Sequence, residues 1–166
     1  MNALTPRHLF SCMFHSLVRI SSMLVQSVWS PHLVKDINAI KNVQKFASRM
    51  ATHNWNLNYN DLLSLTDLPT LERRRIDLKL GQLFKIVHKL CFFPEGIVRF
   101  REQTPLLSNT RSVHPLYLNQ PRVHTNSYYY SFVPHTCSLW NSLPYEVINA
   151  SSYNSFKLSI QDYNYF

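Results

Sequence analysis

The sequence predicts a mainly α-helical protein, a small domain of five or six helices interrupted by an irregular, proline-broken segment. Three observations point there. Apolar residues recur at three- and four-residue steps through several long stretches. Only two glycines, Gly81 and Gly96, stand against nine prolines, so turns that need a positive φ are few. Hydrophobic residues make up 45% and aromatics 13% of the 166, enough to offset much of the ordering entropy with a buried core.

Taken in order, Phe10, Met13, Phe14, Leu17, Leu24 and Val28 fall on one stripe and predict a first helix within Leu9 to Trp29. His15 and Arg19 interrupt it, and it lacks the apolar run of about 18 residues that a membrane span needs, so no membrane partner is expected. Pro31 ends it. A second helix follows, with Val34, Ile37, Ile40, Val43, Phe46, Ala47 and Met50 as its apolar stripe. His53 to Asn58 reads as a loop anchored inward by Trp55 and Leu57. A short helix from Tyr59 to Leu65 has Asn58 as its cap. Thr70 is placed to cap the longest helix, Leu71 to Leu90, with Ile76, Leu80, Leu83, Phe84, Val87, Leu90 and Cys91 on one arc.

From Phe92 to Val133 the helical period is lost and prolines 94, 105, 115 and 121 break the chain, with a short extended piece expected around Val113 to Leu118. Order resumes with a helix from Pro134 to Leu143, closed by Pro144. A last helix after Ser151 and Ser152 carries Tyr153, Phe156 and Ile160 on one face. Residues 1–30 are expected as a separate N-terminal helix and residues 31–166 as the helical domain, with a core around Trp140, Phe84, Leu83 and Phe46.

Seventeen Lys and Arg against nine Asp and Glu give a formal charge of +8 and a pI near 9.6, a balance that favours a polyanionic partner. The cations concentrate at Arg73, Arg74, Arg75, Lys79, Lys85 and Lys89, continued by Arg99 and Arg101. Arginines at a helix front work against the helix dipole, a small cost that an anion nearby would remove. Tyr128, Tyr129, Tyr130 and Phe132 are available to stack on unpaired bases. The expected partner is therefore an RNA or DNA backbone, held weakly and with tolerance of sequence. The competing account is a solvated basic face with the tyrosines filling the core.

Catalytic chemistry finds no foothold. Phosphoryl transfer on two metals needs converging carboxylates, and the nine acids are each isolated in sequence. Cys12, Cys91 and Cys137 form no Cys-x-x-Cys pair, and their odd count fits reduced thiols in the cytosol or nucleus. The eight histidines form no two-ligand helical pair beside a carboxylate. His135 and Cys137, two apart on a helix, point to different faces, so a Cys/His nucleophile is disfavoured. Two glycines exclude a glycine-rich phosphate cradle. No catalytic residue, metal site or cofactor is expected.

Several segments, in order, carry a family likeness. Ser131 to Pro144, with Phe132-Val133-Pro134-His135-Thr136 leading to Trp140-Asn141-Ser142-Leu143-Pro144, resembles the Phe-Pro-Arg-Thr-x-x-x-Trp-Asn-x-Leu-Pro signature near the C-terminus of non-LTR, LINE-type, jockey-like retrotransposon reverse transcriptases. Glu146-Val147-Ile148 and Ser155-Phe156-Lys157 resemble the pieces that follow it. Upstream, Ser16 to Arg19 and Val28 to His32 resemble the end of the polymerase thumb, Ile40 to Phe46 the Val-Gln-Arg-Arg helix, and Leu68 to Arg74 the Leu-Pro-Ser-Leu-x-x-Arg-Arg turn.

The likeness spans roughly residues 16 to 160. His135 replaces the family's arginine, and Ile20 to Gln26 departs from the usual proline and Leu-Glu-Tyr residues. The resemblance implies a post-thumb fragment of an RNA-directed DNA polymerase without its catalytic core. In it, Trp140, Asn141, Leu143 and Pro144 are structural and the cations contact nucleic acid. The protein partner expected of such a fragment is an intact polymerase or, through the N-terminal helix, a second copy of the chain. The alternatives are an interaction remnant and a decayed element product with no selected activity.

Overall fold

The computed structural model of the chain describes residues 31–66, 68–101 and 116–163. Seven helices lie within them: α1 Val34–Thr52, α2 Tyr59–Thr66, α3 Leu71–Val87, α4 Asn126–Tyr129, α5 Phe132–Ser142, α6 Tyr145–Ile148 and α7 Tyr153–Asp162. Extended pairing among the described residues is confined to one isolated antiparallel bridge, Phe100 with Leu118. The protein is mainly α-helical, as the periodicity predicts. The first expected helix, within Leu9 to Trp29, lies outside the described residues. Contacts divide the chain into two compact units, Met1–Arg75 and Ile76–Phe166, with the boundary inside α3.

In the first unit α1 starts after Leu33, whose carbonyl accepts from the Asp36 and Ile37 N–H groups at 3.1 Å. It stops at His53, which takes the left-handed conformation (φ 54°) usual where a helix is turned off. Leu62 and Leu63 of α2 are buried. Thr70 caps α3 as its position predicts, its hydroxyl accepting from Arg73 N–H at 3.2 Å.

The fully buried residues of α1 are polar. Gln44 and Ser48 are buried there, with Gln44 receiving the Tyr59 hydroxyl at 2.6 Å and donating to the Pro69 carbonyl at 3.5 Å. Val43, Phe46 and Met50 lie roughly 150° around the helix, at about 100° per residue, and are exposed. Phe46 is therefore not a core residue, at 58% exposure. Periodicity defined a real apolar stripe, but hydrogen bonding at Gln44 decided which side turned inward. Trp55, expected to point inward, is half exposed and meets the Phe46 ring edge-on at 6.0 Å.

The second unit holds the main core: Ile76, Leu80, Leu83, Phe84, Leu118, Cys137, Trp140, Leu143, Ile148, Phe156 and Ile160. Phe84 stacks on Phe156 at 4.4 Å, and Trp140 is fully buried against both. The expected places of Trp140, Phe84 and Leu83 hold. Gly81 gives Tyr153 room, since a Cβ there would sit 3.0 Å from its hydroxyl. Mid-helix glycine costs about 1 kcal/mol relative to alanine, and this close approach is its reason.

α3 ends at Val87, three residues early, and Lys89 turns left-handed (φ 55°), leaving Leu90 exposed although its arc matched the core. Two short helices escaped periodicity. Thr125 caps α4 through its hydroxyl, which accepts from Tyr128 N–H at 3.3 Å, and α6 follows Pro144. Ser152 caps α7, accepting from Ser155 N–H at 3.1 Å.

Candidate nucleic-acid interface

Of the six cations expected to line one helix, Arg73, Arg74, Arg75, Lys79 and Lys85 lie on α3 and Lys89 lies just beyond its end. Arg73, Arg74 and Arg75 belong to the first unit, and Lys79, Lys85 and Lys89 to the second. Arg73 and Arg74 are half-buried. Arg75 is 8% exposed, donates from Nε to the Leu71 carbonyl at 3.0 Å, and is pulled below the usual guanidinium value by burial, against the opposing charges of Glu72 and Tyr59. Lys79 is 3% exposed, its ammonium 3.4 Å from His135 Nδ1.

Arg75 and Lys79, expected as nucleic-acid contacts, are thus both buried, unlike the solvated cations that the expectation pictured. The physical reason is that both flank the core arc of α3, so their long stems pack inward with their charges. Lys85 sits over the Tyr153 ring at 4.5 Å, and Lys89 is exposed beyond the helix end.

The tyrosines divide similarly. Tyr128 is 46% exposed, whereas Tyr129 is half-buried against Tyr130 and His135. His135 is pushed down to about 4 by burial and by the Lys79 charge, and burial pushes the Cys137 thiol up to about 11.

A different basic surface emerges after α3. Around the Phe100–Leu118 bridge, Arg101 N–H donates to the Tyr117 carbonyl and Asn119 N–H to the Arg99 carbonyl, both at 2.8 Å. Side chains alternate along such a pair, so Phe100 and Leu118 share one face while Arg99, Arg101 and Tyr117 share the other. Leu118 is fully buried and Arg99 and Arg101 are exposed.

The Arg101 guanidinium carbon lies 5.7 Å from the Tyr117 ring centre. Arg99 Nε donates to the Gly96 carbonyl at 2.8 Å, and a Cβ on Gly96 (φ 82°) would come within 3.2 Å of Arg99 Nη2. The glycine thus admits both the turn and the arginine laid across it.

The motif residues hold this face. Asn141 Oδ1 accepts from Leu118 N–H and Asn141 Nδ2 donates to the Leu118 carbonyl, each at 2.9 Å, and Trp140 Nε1 donates to the Leu116 carbonyl at 3.0 Å. Leu143 is buried, and Pro144 opens the turn into α6, its carbonyl accepting from Val147 at 3.1 Å.

Among the described residues, Lys89, Arg99, Arg101 and Arg122 form no ion pair with a carboxylate. Sequence reading missed Tyr117, Gly96 and Arg122. The signal for the first was the Arg99-Phe100-Arg101 alternation, too short to be noticed without its pairing partner.

Among the described residues no three His, Cys, Asp or Glu side chains gather as a metal site, and no helix is long and apolar enough to cross a membrane. No protein-family model, curated protein or solved structure matches this chain.

Proposed function

We propose that this chain is a non-catalytic, nucleic-acid-contacting module derived from the C-terminal region of a LINE-type reverse transcriptase, and that it meets single strands on the Arg99–Tyr117–Arg101 face. The observation that carries the reading is this face itself, the exposed Arg101 guanidinium against the Tyr117 ring and the exposed Arg99 beside it over Gly96, neither arginine ion-paired to a carboxylate among the described residues. Guanidiniums neutralise phosphates, and a tyrosine ring next to them is the kind of flat surface a base stacks on.

Exposed Lys89, Arg122 and Tyr128 in the same unit add charge and a second ring. The ancestry rests on the ordered motif likeness, whose Trp140-Asn141 pair is also what fastens this face to α5. A post-thumb origin accounts for the absence of paired carboxylates from the sequence.

The test is fluorescence anisotropy of a labelled mixed-sequence single strand against the wild-type chain and Arg99→Gln/Arg101→Gln. Binding that weakens in the double variant, with helical content unchanged, supports the reading. Equal binding by both removes this face from it.

A further inference from the structure

The short ribbon that carries the two arginines has two edges, and they differ. Arg101 N–H donating to the Tyr117 carbonyl and Asn119 N–H donating to the Arg99 carbonyl bracket the Phe100–Leu118 bridge. In an antiparallel ladder the residues of such a pair turn their own N–H and C=O groups outward, away from each other. On the Leu118 side both groups are met by the Asn141 amide at 2.9 Å. On the Phe100 side neither group makes a hydrogen bond among the described residues, and Phe100 is 49% exposed.

We propose that the main-chain N–H and C=O of Phe100 pair with the Watson–Crick edge of an unpaired base, on a strand whose phosphates meet Arg99 and Arg101. The inference rests on the nucleic-acid reading of this ribbon and names what the ribbon takes: a nucleotide whose base edge is free. Asn141 defines the kind of group that such an edge accepts, an N–H donor and an oxygen acceptor side by side in one plane. A base offers the same arrangement on its Watson–Crick edge, thymine as a ring N–H beside a carbonyl and adenine as an amino group beside a ring nitrogen, so the contact tolerates sequence.

Charge favours a strand of nucleotides. Arg99 and Arg101 flank Phe100 along the chain, and neither is ion-paired to a carboxylate among the described residues, so positive charge lies on both sides of one base-sized donor and acceptor pair. In a duplex the complementary base already occupies the edge that Phe100 would take. The contact therefore selects single strands.

A protein strand is the weaker occupant. Strand addition draws its affinity from a run of main-chain hydrogen bonds along an exposed edge. Here the described ladder is a single bridge, and Gly96 (φ 82°) turns the chain just ahead of it.

The test compares two labelled strands on the full chain, an oligothymidylate and the same oligomer built from N3-methylthymidine, which keeps the phosphates and the ring faces but loses the N–H of the base edge. The methylated strand should bind about three- to tenfold more weakly, the loss expected for one or two hydrogen bonds, with the salt slope unchanged. The Phe100 amide resonance of the isotope-labelled chain should shift with the first strand and not with the second. Phe100→Pro removes the N–H at an edge position, where proline is tolerated, and should bind both strands alike, whereas Phe100→Ala should still tell them apart. Equal affinity of the wild-type chain for the two strands, with Arg99→Gln/Arg101→Gln still weakening both, would overturn the base pairing and leave the nucleic-acid reading standing. Binding of neither strand would overturn both. A Phe100 amide already protected from exchange in the free chain, together with a dimer mass, would give the edge to a strand of a second copy and overturn the proposal.

Discussion

The side-chain amide of Asn141 pairs with the backbone of Leu118 as a neighbouring strand would, accepting its N–H and donating to its carbonyl at 2.9 Å each. Leu118 is fully buried, so those backbone groups have no water to turn to. Asn141→Ala should cost about 1–3 kcal/mol for each buried group left unpaired, read as a lower urea midpoint. Asn141→Asp keeps the acceptor but loses the donor and should be no better than alanine. A variant of wild-type stability would mean that the pairing contributes nothing.

Trp140 combines full burial with the Nε1 bond to Leu116. Trp140→Ala should destabilise by about 3–5 kcal/mol, the range for deleting a large core aromatic. Trp140→Phe keeps part of the packing and should lie between. Chemical denaturation ranks the three, and a small effect for alanine would remove Trp140 from the centre of the core.

His135 gives stability a pH dependence whose sign is fixed by its neighbours. Its folded value, about 4, lies below the ordinary 6.5, so between those values the unfolded chain binds a proton that the folded one refuses. The contribution is whole above about 6.5 and is lost as pH falls toward about 4. Unfolding midpoints should therefore drop across that window, and the drop should shrink in His135→Gln. An unchanged slope in that variant would assign the acid sensitivity elsewhere.

Cys137 should resist alkylation until the protein unfolds, because burial both hides the thiol and raises its pKa to about 11. Mass spectrometry after a brief maleimide pulse in native buffer should find it unmodified and, after denaturant, fully labelled. Rapid native labelling would contradict its place in the core.

Local signals proved the most legible. Thr70 and Ser152 cap helices where a hydroxyl residue precedes an apolar period, because a cap is decided within four residues of chain. Phe84 and Trp140 were readable because large aromatics on a helical arc have few other places to go. Phe46 was not, since a stripe says that a helix has an apolar side but not which side meets its neighbour, and Gln44 with Tyr59 settled that. The same limit hid the burial of Arg75 and Lys79, whose charges suggested solvent while their i, i+4 spacing set them beside the core. The basic face was illegible for another reason. It exists only through pairing of residues 99–101 with 117–119, and no local pattern announces a contact so distant in sequence.

The salt dependence of single-strand binding tests the central claim most directly. Each neutralised phosphate contributes about −0.7 to the slope of log affinity against log salt on single strands. Arg99→Gln/Arg101→Gln should therefore flatten the wild-type slope by roughly 1.4, whereas Arg73→Gln/Arg74→Gln, at the half-buried front of α3, should change it much less. Tyr117→Ala should weaken binding by about 1–3 kcal/mol with the slope intact, since stacking releases no counterions. A slope left unchanged by the first pair and flattened by the second would contradict the account and return the contact to the helix front.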